Sequence, residues 1–566
     1  MAAQSSSTLL LDEAFAAGDE RFFDALIEST AAKKLKSLAD RWYGDARPFA
    51  RKALLRYLDD GCDRPHHRAL VKALFKLAEL NEDDEVMGHF LVVFDRLVKR
   101  TAKKVAVWDR ATRSSAFGVQ MVADKSAPEK VGNRDIKALR FSQSTRRYLR
   151  RRAFRYFRLL ARRDPARYGT AIRAALTQYQ DAHLDTPSQL LDAWGLMHAL
   201  YWGSPVLDRA PRGIRVAEGR SLAELSPAPF CPESWGGSLN GLLELVEKAG
   251  SRTVRVFTIG LLERDYAAVL RSVKVTRLKG LLRSPHDEVQ TFAAKLLRTA
   301  TGIEALTIDE WLALLRIDNA TALPLLCELV VKHLLPDRLT LAQCVELACA
   351  RPAPVAEVGL RWTRQKPVRT GADLVVVVGL ANAASERTRE AAIDWVTGLL
   401  EASEEARDPH LRDLLDARHA DVRERGLALF LRAPRFRDST LLWAALSESP
   451  YDDVRAFLVK HLKERESTFA PETLRHLWVT ILLGVHRGGK SKRAALRQIA
   501  ERVARRPADA GALLPLLGLA LRSVRPPERR TALAAVARAA FLAPALRDAI
   551  ARDLPEISLE SSEAAA

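Results

Sequence analysis

Leu446-Ser447-Glu448-Ser449-Pro450-Tyr451-Asp452-Asp453-Val454-Arg455-Ala456-Phe457-Leu458-Val459-Lys460-His461-Leu462 reads as the end of one helix, a polar break and the start of a second. In its latter part Val454, Phe457, Leu458 and Leu462 recur at the three- and four-residue spacing of a single helix face. The acids ahead of that face suit the electropositive start of a helix.

The pattern recurs upstream. Leu281-Leu282-Arg283-Ser284-Pro285, Leu314-Leu315-Arg316-Ile317-Asp318, Leu347-Ala348-Cys349-Ala350-Arg351, Leu380-Ala381-Asn382-Ala383-Ala384 and Leu414-Leu415-Asp416-Ala417-Arg418 precede the Leu446 copy at intervals of 32 to 34 residues. Two helices per unit cannot each bury an apolar face alone, so neighbouring units must stack to make a core. In this register Leu414 and Leu446 are buried, and Arg423 and Arg455 lie near the turns.

Asp421-Val422-Arg423 and Asp453-Val454-Arg455 resemble the Asp-Val-Arg signature of the HEAT-repeat family, with Arg389 and Gln290 in the equivalent place of more divergent copies. The resemblance implies an all-α fold, a HEAT-like α-α superhelix (solenoid) of antiparallel helix pairs that holds a partner against its surface. It also implies that the acid caps the second helix and that the arginine joins a ladder of polar contacts between units. Gln290 carries no charge, and the copies after Leu314 and Leu347 lack the signature, so an interrupted ladder is expected.

Repeat character continues after Ile481 and Leu516, and earlier around Asp45-Ala46-Arg47 and Asp84-Glu85-Val86. The expected organisation is HEAT-like helices over 1–98, a basic loop or insertion over 99–139, a basic helical segment over 140–203, a Pro-rich loop over 204–237, the repeat array over 238–557 and a flexible tail over 558–566.

Composition agrees with a folded helical chain. At 566 residues it exceeds what one compact core supports, and 48% apolar with 28% charged residues lies above the disordered range. Cys62, Cys231, Cys327, Cys344 and Cys349 are scattered and read as reduced core residues. No membrane span or leader pattern is evident, and a cytoplasmic location is expected. The net charge of +19 favours acidic partners, although a GC-rich coding background also enriches arginine.

The densest basic segment is Arg146-Arg147-Tyr148-Leu149-Arg150-Arg151-Arg152-Ala153-Phe154-Arg155-Tyr156-Phe157-Arg158-Leu159-Leu160-Ala161-Arg162-Arg163. Leu149, Ala153, Tyr156, Phe157 and Leu160 make a core stripe, leaving Arg147, Arg150, Arg151, Arg155, Arg158 and Arg162 over the remaining surface. Like charges at this spacing repel by a few tenths of a kcal/mol per pair, and few acids lie nearby in sequence. Arg146, Arg147, Arg150, Arg151, Arg155, Arg158, Arg162 and Arg163 are therefore candidate phosphate contacts, supported by Lys99, Arg100, Lys103, Lys104, Arg110 and Arg113.

Gly484-Val485-His486-Arg487-Gly488-Gly489-Lys490-Ser491 satisfies the phosphate-loop pattern, with Gly484, Gly489, Lys490 and Ser491 at the matching positions. Leu474, Leu477, Trp478 and Ile481 upstream have helical spacing, so the match reads as a lengthened inter-helix turn rather than a nucleotide site. No metal spacing, cofactor motif or serine nucleophile motif is expected. Trp311, Trp362, Trp395, Trp443 and Trp478 read as core, whereas Trp42-Tyr43-Gly44-Asp45 reads as an exposed aromatic and acidic cluster. The expectation is a non-catalytic scaffold with nucleic acid, DNA or RNA, as partner. An acidic protein is the alternative. A DNA glycosylase of the HEAT-like class, with Asp45 as its carboxylate, is the third reading.

Overall fold

The computed structural model describes residues 2–64, 66–97, 100–109, 114–123, 130–131, 134–135, 143–210, 213–236, 238–484 and 489–557. Among them are 31 α-helices, short 3-10 turns and three two-stranded hairpins. The chain divides into two compact units, Met1–Leu306 and Thr307–Ala566.

In the second unit, the first helix of several pairs starts at a side-chain cap. Thr307 Oγ1 accepts from the Glu310 amide at 3.2 Å while the Glu310 carboxylate accepts from the Thr307 amide at 2.9 Å. Thr340 with Gln343 and Thr370 with Asp373 repeat the arrangement, and Ser439 caps Thr440–Glu448. Such a cap contributes about 1 kcal/mol. Four residues after each cap stands a buried side chain, Trp311, Cys344, Leu374 or Trp443, so cap and core position together register the helix. Leu414 and Leu446 are buried, as are Trp362 and Trp478, while Trp395 is half-buried.

In both units, the second helices of pairs start differently. Asp287–Leu297, Ala420–Arg432 and Asp452–Arg465 have no side-chain hydrogen bond from the residue preceding them. The acid does not occupy the cap position that the resemblance implied. It is the second helical residue and accepts from the previous unit's arginine instead. Arg255 Nε donates to Glu288 at 2.6 Å, Arg389 Nε to Asp421 at 2.8 Å and Arg423 Nε to Asp453 at 3.0 Å. Each arginine also straps its own turn, with Nη1 donating to the carbonyl six residues back: Ala249, Ala383 and Ala417 respectively. Gln290 keeps that half of the device, donating to Ser284 O at 2.8 Å. The turn after Leu314 is held instead by Asn319, which accepts from the Thr321 and Ala322 amides, and Pro352 precedes the helix of the next copy.

In the first unit, part of the 99–139 stretch read as a loop is an antiparallel hairpin. Arg100–Asp109 pairs with Ser114–Ala123, Arg100 opposite Ala123 and Asp109 opposite Ser114. Lys103 and Lys104 interrupt its apolar alternation and hide the strand signal. The Pro-rich 204–237 stretch contains a second hairpin, Leu207–Ala210 with Gly213–Val216. Its return leg docks on the helix Trp194–Tyr201, where Ala228 N donates to Leu200 O and Phe230 N to Ala199 O. No helix among the described residues is long and apolar enough to cross a membrane.

Candidate polyanion-binding surface

The basic segment forms one helix, Gln143–Arg163. Its expected stripe of Leu149, Ala153, Tyr156, Phe157 and Leu160 is buried, and Phe154 and Ala161 are buried as well. The helix packs against Asp84–Leu97, Pro165–Leu176 and Trp194–Tyr201. It therefore buries more of its circumference than a single stripe.

That wider contact divides the arginines into two groups. Arg146 is buried and clamps Asp63, with 2.6 and 2.7 Å bonds to the two carboxylate oxygens, and also donates to Leu97 O. Arg150, expected on the surface, is buried too. It donates to Asp192 O at 2.8 Å and lies 5.7 Å from the centre of the Trp194 ring. Arg152 binds Glu79, Arg163 binds Glu82, and the following helix adds Arg167 on Glu82 and Asp84. The acids missing from the local sequence thus arrive from 73 to 85 residues upstream along the chain.

The second group is Arg147, Arg151, Arg155, Arg158 and Arg162, spaced four, four, three and four residues apart on one helix face. Fifteen residues of helix place them along about 22 Å. Arg151, Arg155 and Arg162 are exposed, Arg147 and Arg158 half-buried, and none of the five forms an ion pair among the described residues.

One end of this stripe meets an aromatic column. Trp194, His198 and Trp202 recur every four residues opposite Arg150, Phe154 and Arg158. Phe154 lies 5.4 Å from the Trp194 and His198 rings, and Phe230 lies 5.2 Å from Trp202. Trp202 is half-buried beneath two cations, Arg158 at 5.4 Å and Arg209 of the 207–216 hairpin at 5.1 Å. Burial, reinforced by the charges of Arg209, Arg150 and Arg158, outweighs the bond to Trp194 O and lowers the His198 pKa to about 4. The histidine is neutral at pH 7. Asp95 behind the column accepts from Tyr179 Oη and from the Gly195 and Leu196 amides; burial raises its pKa despite the Arg150 charge. The W-x-x-x-H-x-x-x-W spacing of Trp194, His198 and Trp202 is the sequence signal for this column.

The other candidate residues fall elsewhere. Trp42 is buried and donates through Nε1 to Ala50 O; Tyr43 Oη donates to Asp83 at 2.9 Å. Asp45 is held by Arg47 Nη2 at 2.7 Å, and that bond lowers its pKa. The 42–45 cluster is therefore not the exposed aromatic and acidic site expected, because tryptophan and tyrosine serve the helix packing and the carboxylate is already paired. Of the phosphate-loop match, Gly484 follows the helix Pro471–Leu483, and Gly489, Lys490 and Ser491 open the helix Gly489–Arg505. Residues 485–488 lie outside the described residues. A helix stands where the nucleotide fold requires a strand. The described residues contain no cluster of three or more potential metal-ligating His, Cys, Asp or Glu side chains.

These features define a helical protein built of stacked helix pairs, with a line of arginines on one helix that form no ion pair among the described residues. No protein-family profile and no curated protein matches the sequence. Among solved structures, SYS-1 is 10% identical, covering 95% of this chain and 99% of its own, with a TM-score of 0.20. The UNC-45 chaperone, described as binding and folding muscle myosin, is 11% identical over 97% of this chain and 72% of its own, also with a TM-score of 0.20. The karyopherin Kap121p, solved bound to the SUMO protease Ulp1p, is 12% identical over 96% of this chain and 67% of its own, with a TM-score of 0.16. Likenesses this low carry no argument, and the fold assignment rests on the helix pairs and ladder described above.

Proposed function

We propose that this protein is a non-catalytic scaffold that binds nucleic acid through the exposed face of the helix Gln143–Arg163. The observation that supports the reading is the contrast between neighbours on one helix. Arg146, Arg152 and Arg163 each have a carboxylate partner, whereas Arg147, Arg151, Arg155, Arg158 and Arg162 have none among the described residues. Five like charges spaced along one face repel one another, and a polyanion laid along the helix removes that cost. Guanidinium groups suit phosphate because they donate in a planar fork. Arg209, lying with Arg158 against the Trp202 ring, adds a further cation at one end of the stripe.

Fluorescence anisotropy with random-sequence DNA and RNA at low salt tests the proposal. Binding is expected to both, and to weaken when Arg147, Arg151, Arg155 and Arg158 are replaced together by glutamine. Unaltered binding by that variant would remove the helix from the site. Complete absence of binding would refute the nucleic-acid reading and leave an acidic protein as the partner.

A further inference from the structure

The arginine ladder breaks at Arg455 in a specific way. In the rungs at Arg255, Arg389 and Arg423, Nε reaches an acid that is the second residue of the next second helix: Glu288, Asp421 or Asp453. Arg455 keeps the turn strap, Nη1 donating to Ser449 O at 2.8 Å, and pairs with Asp452 of its own helix. The next second helix is Gly489–Arg505, and its second residue is Lys490. The acid has been replaced by a base, and Arg455 Nε has no partner among the described residues.

The vacated rung is a cavity of about 110 Å³ lined by Arg455, Ser449, Ser491 and Lys492, with the exposed Glu448 also on its wall. Lys492 is only 9% exposed, yet it forms no ion pair or hydrogen bond among the described residues. Its ammonium is thus free to take an anionic partner at the cavity wall. The first-turn amides of the 17-residue helix Gly489–Arg505 begin at the same place, and such amides favour anions. A water occupies about 30 Å³ of liquid, so the cavity has room for a tetrahedral oxyanion.

We propose that this gap is an oxyanion site of the phosphate class, in which the bound anion takes the place of the missing ladder acid. Arg455, Lys492 and the Ser491 hydroxyl hold it against the start of Gly489–Arg505. The G-x-x-x-x-G-K-S match thus contributes Ser491 to a structural anion site between stacked helices. The anion is either free phosphate or the terminal phosphate of a nucleotide.

The test is thermal unfolding and calorimetric titration of the full chain with inorganic phosphate, with sodium chloride at matched ionic strength, and with ATP plus magnesium. Phosphate at ten times its Kd is expected to raise Tm by about 3–6 °C. Lys492→Met should abolish the rise. Lys490→Asp, at an exposed position, restores the acid. It should raise Tm without phosphate and remove the response to it, and so carries the test if Lys492→Met folds poorly. ATP binding no tighter than phosphate assigns the site to free phosphate, and binding at least tenfold tighter assigns it to a nucleotide's terminal phosphate. An equal rise with chloride, an undiminished rise in both variants, or no response at 10 mM phosphate, about the upper end of a meaningful affinity, would overturn the proposal.

Discussion

Replacing Arg423 by methionine keeps most of the side chain's length and removes every donor. In the structure this guanidinium donates to Ala417 O at 2.8 Å, to Arg418 O at 3.0 Å and to Asp453 at 2.8 Å, and it lies 3.8 Å from the centre of the Tyr451 ring. Two bonds to neutral carbonyls are worth about 1 kcal/mol each, and a bond to a carboxylate about 1.5 kcal/mol at the low end of its range. The low end applies because the Asp453 side chain is 44% exposed and rehydrates when its partner leaves. The variant should therefore lose about 3–4 kcal/mol, seen as a Tm lowered by roughly 6–16 °C. Arg432→Met is the control, since its bond to Glu401 joins side chains 57% and 41% exposed and such pairs contribute under about 1 kcal/mol. Thermal and urea unfolding of both variants provide the comparison. Losses equal within about 0.5 kcal/mol would show that the ladder is surface decoration and refute the reasoning.

Gly359→Ala should destabilise strongly, against the usual gain of about 1 kcal/mol for this change in a helix. A Cβ there would lie 2.1 Å from Ala348 N, so calorimetry should show a lower Tm, and an unchanged or higher one would contradict the close helix approach. Stability should also fall with acid. The folded pKa of His198 is about 4 and its unfolded value is near 6.5, so its contribution is complete above pH 6.5 and lost as pH falls towards 4. His198→Phe should retain about 2.5 kcal/mol more than the wild type over that window in urea titrations at pH 7 and 4.5; parallel pH curves would exclude the mechanism.

The helix pairs were legible because apolar residues recur at helical spacing and the pairs recur at a near-constant interval. The burial of Leu414, Leu446 and Trp443 followed from that register alone. The charged residues were less legible. Arg150 sits among exposed arginines in sequence, and only the docking of Trp194–Tyr201 and the Asp192 carbonyl show that it is interior. Glu79, Glu82 and Asp84 neutralise the basic helix from another helix pair, a distance local charge counting cannot see. Arg255 was missed although Val254-Arg255 repeats the dipeptide of Val422-Arg423 and Val454-Arg455. The hairpin at 100–123 was missed because lysines fall within its first strand and the pairing between strands, not composition, stabilises it. The exposed stripe itself was visible in part, since Arg147, Arg151, Arg155, Arg158 and Arg162 share one face by spacing.

The most direct measurement is the salt dependence of nucleic-acid affinity, for the wild type and for the variant in which Arg147, Arg151, Arg155 and Arg158 are glutamine. Each phosphate contact contributes about 0.9 to the slope of log affinity against log salt on duplex DNA, so the variant's slope should be shallower by about 3–4. Replacing the carboxylate-paired Arg152 and Arg163 instead should leave the slope nearly unchanged and lower Tm. An equal slope in the wild type and the four-glutamine variant, or a larger change from Arg152 and Arg163, would contradict the assignment of the stripe as the binding surface.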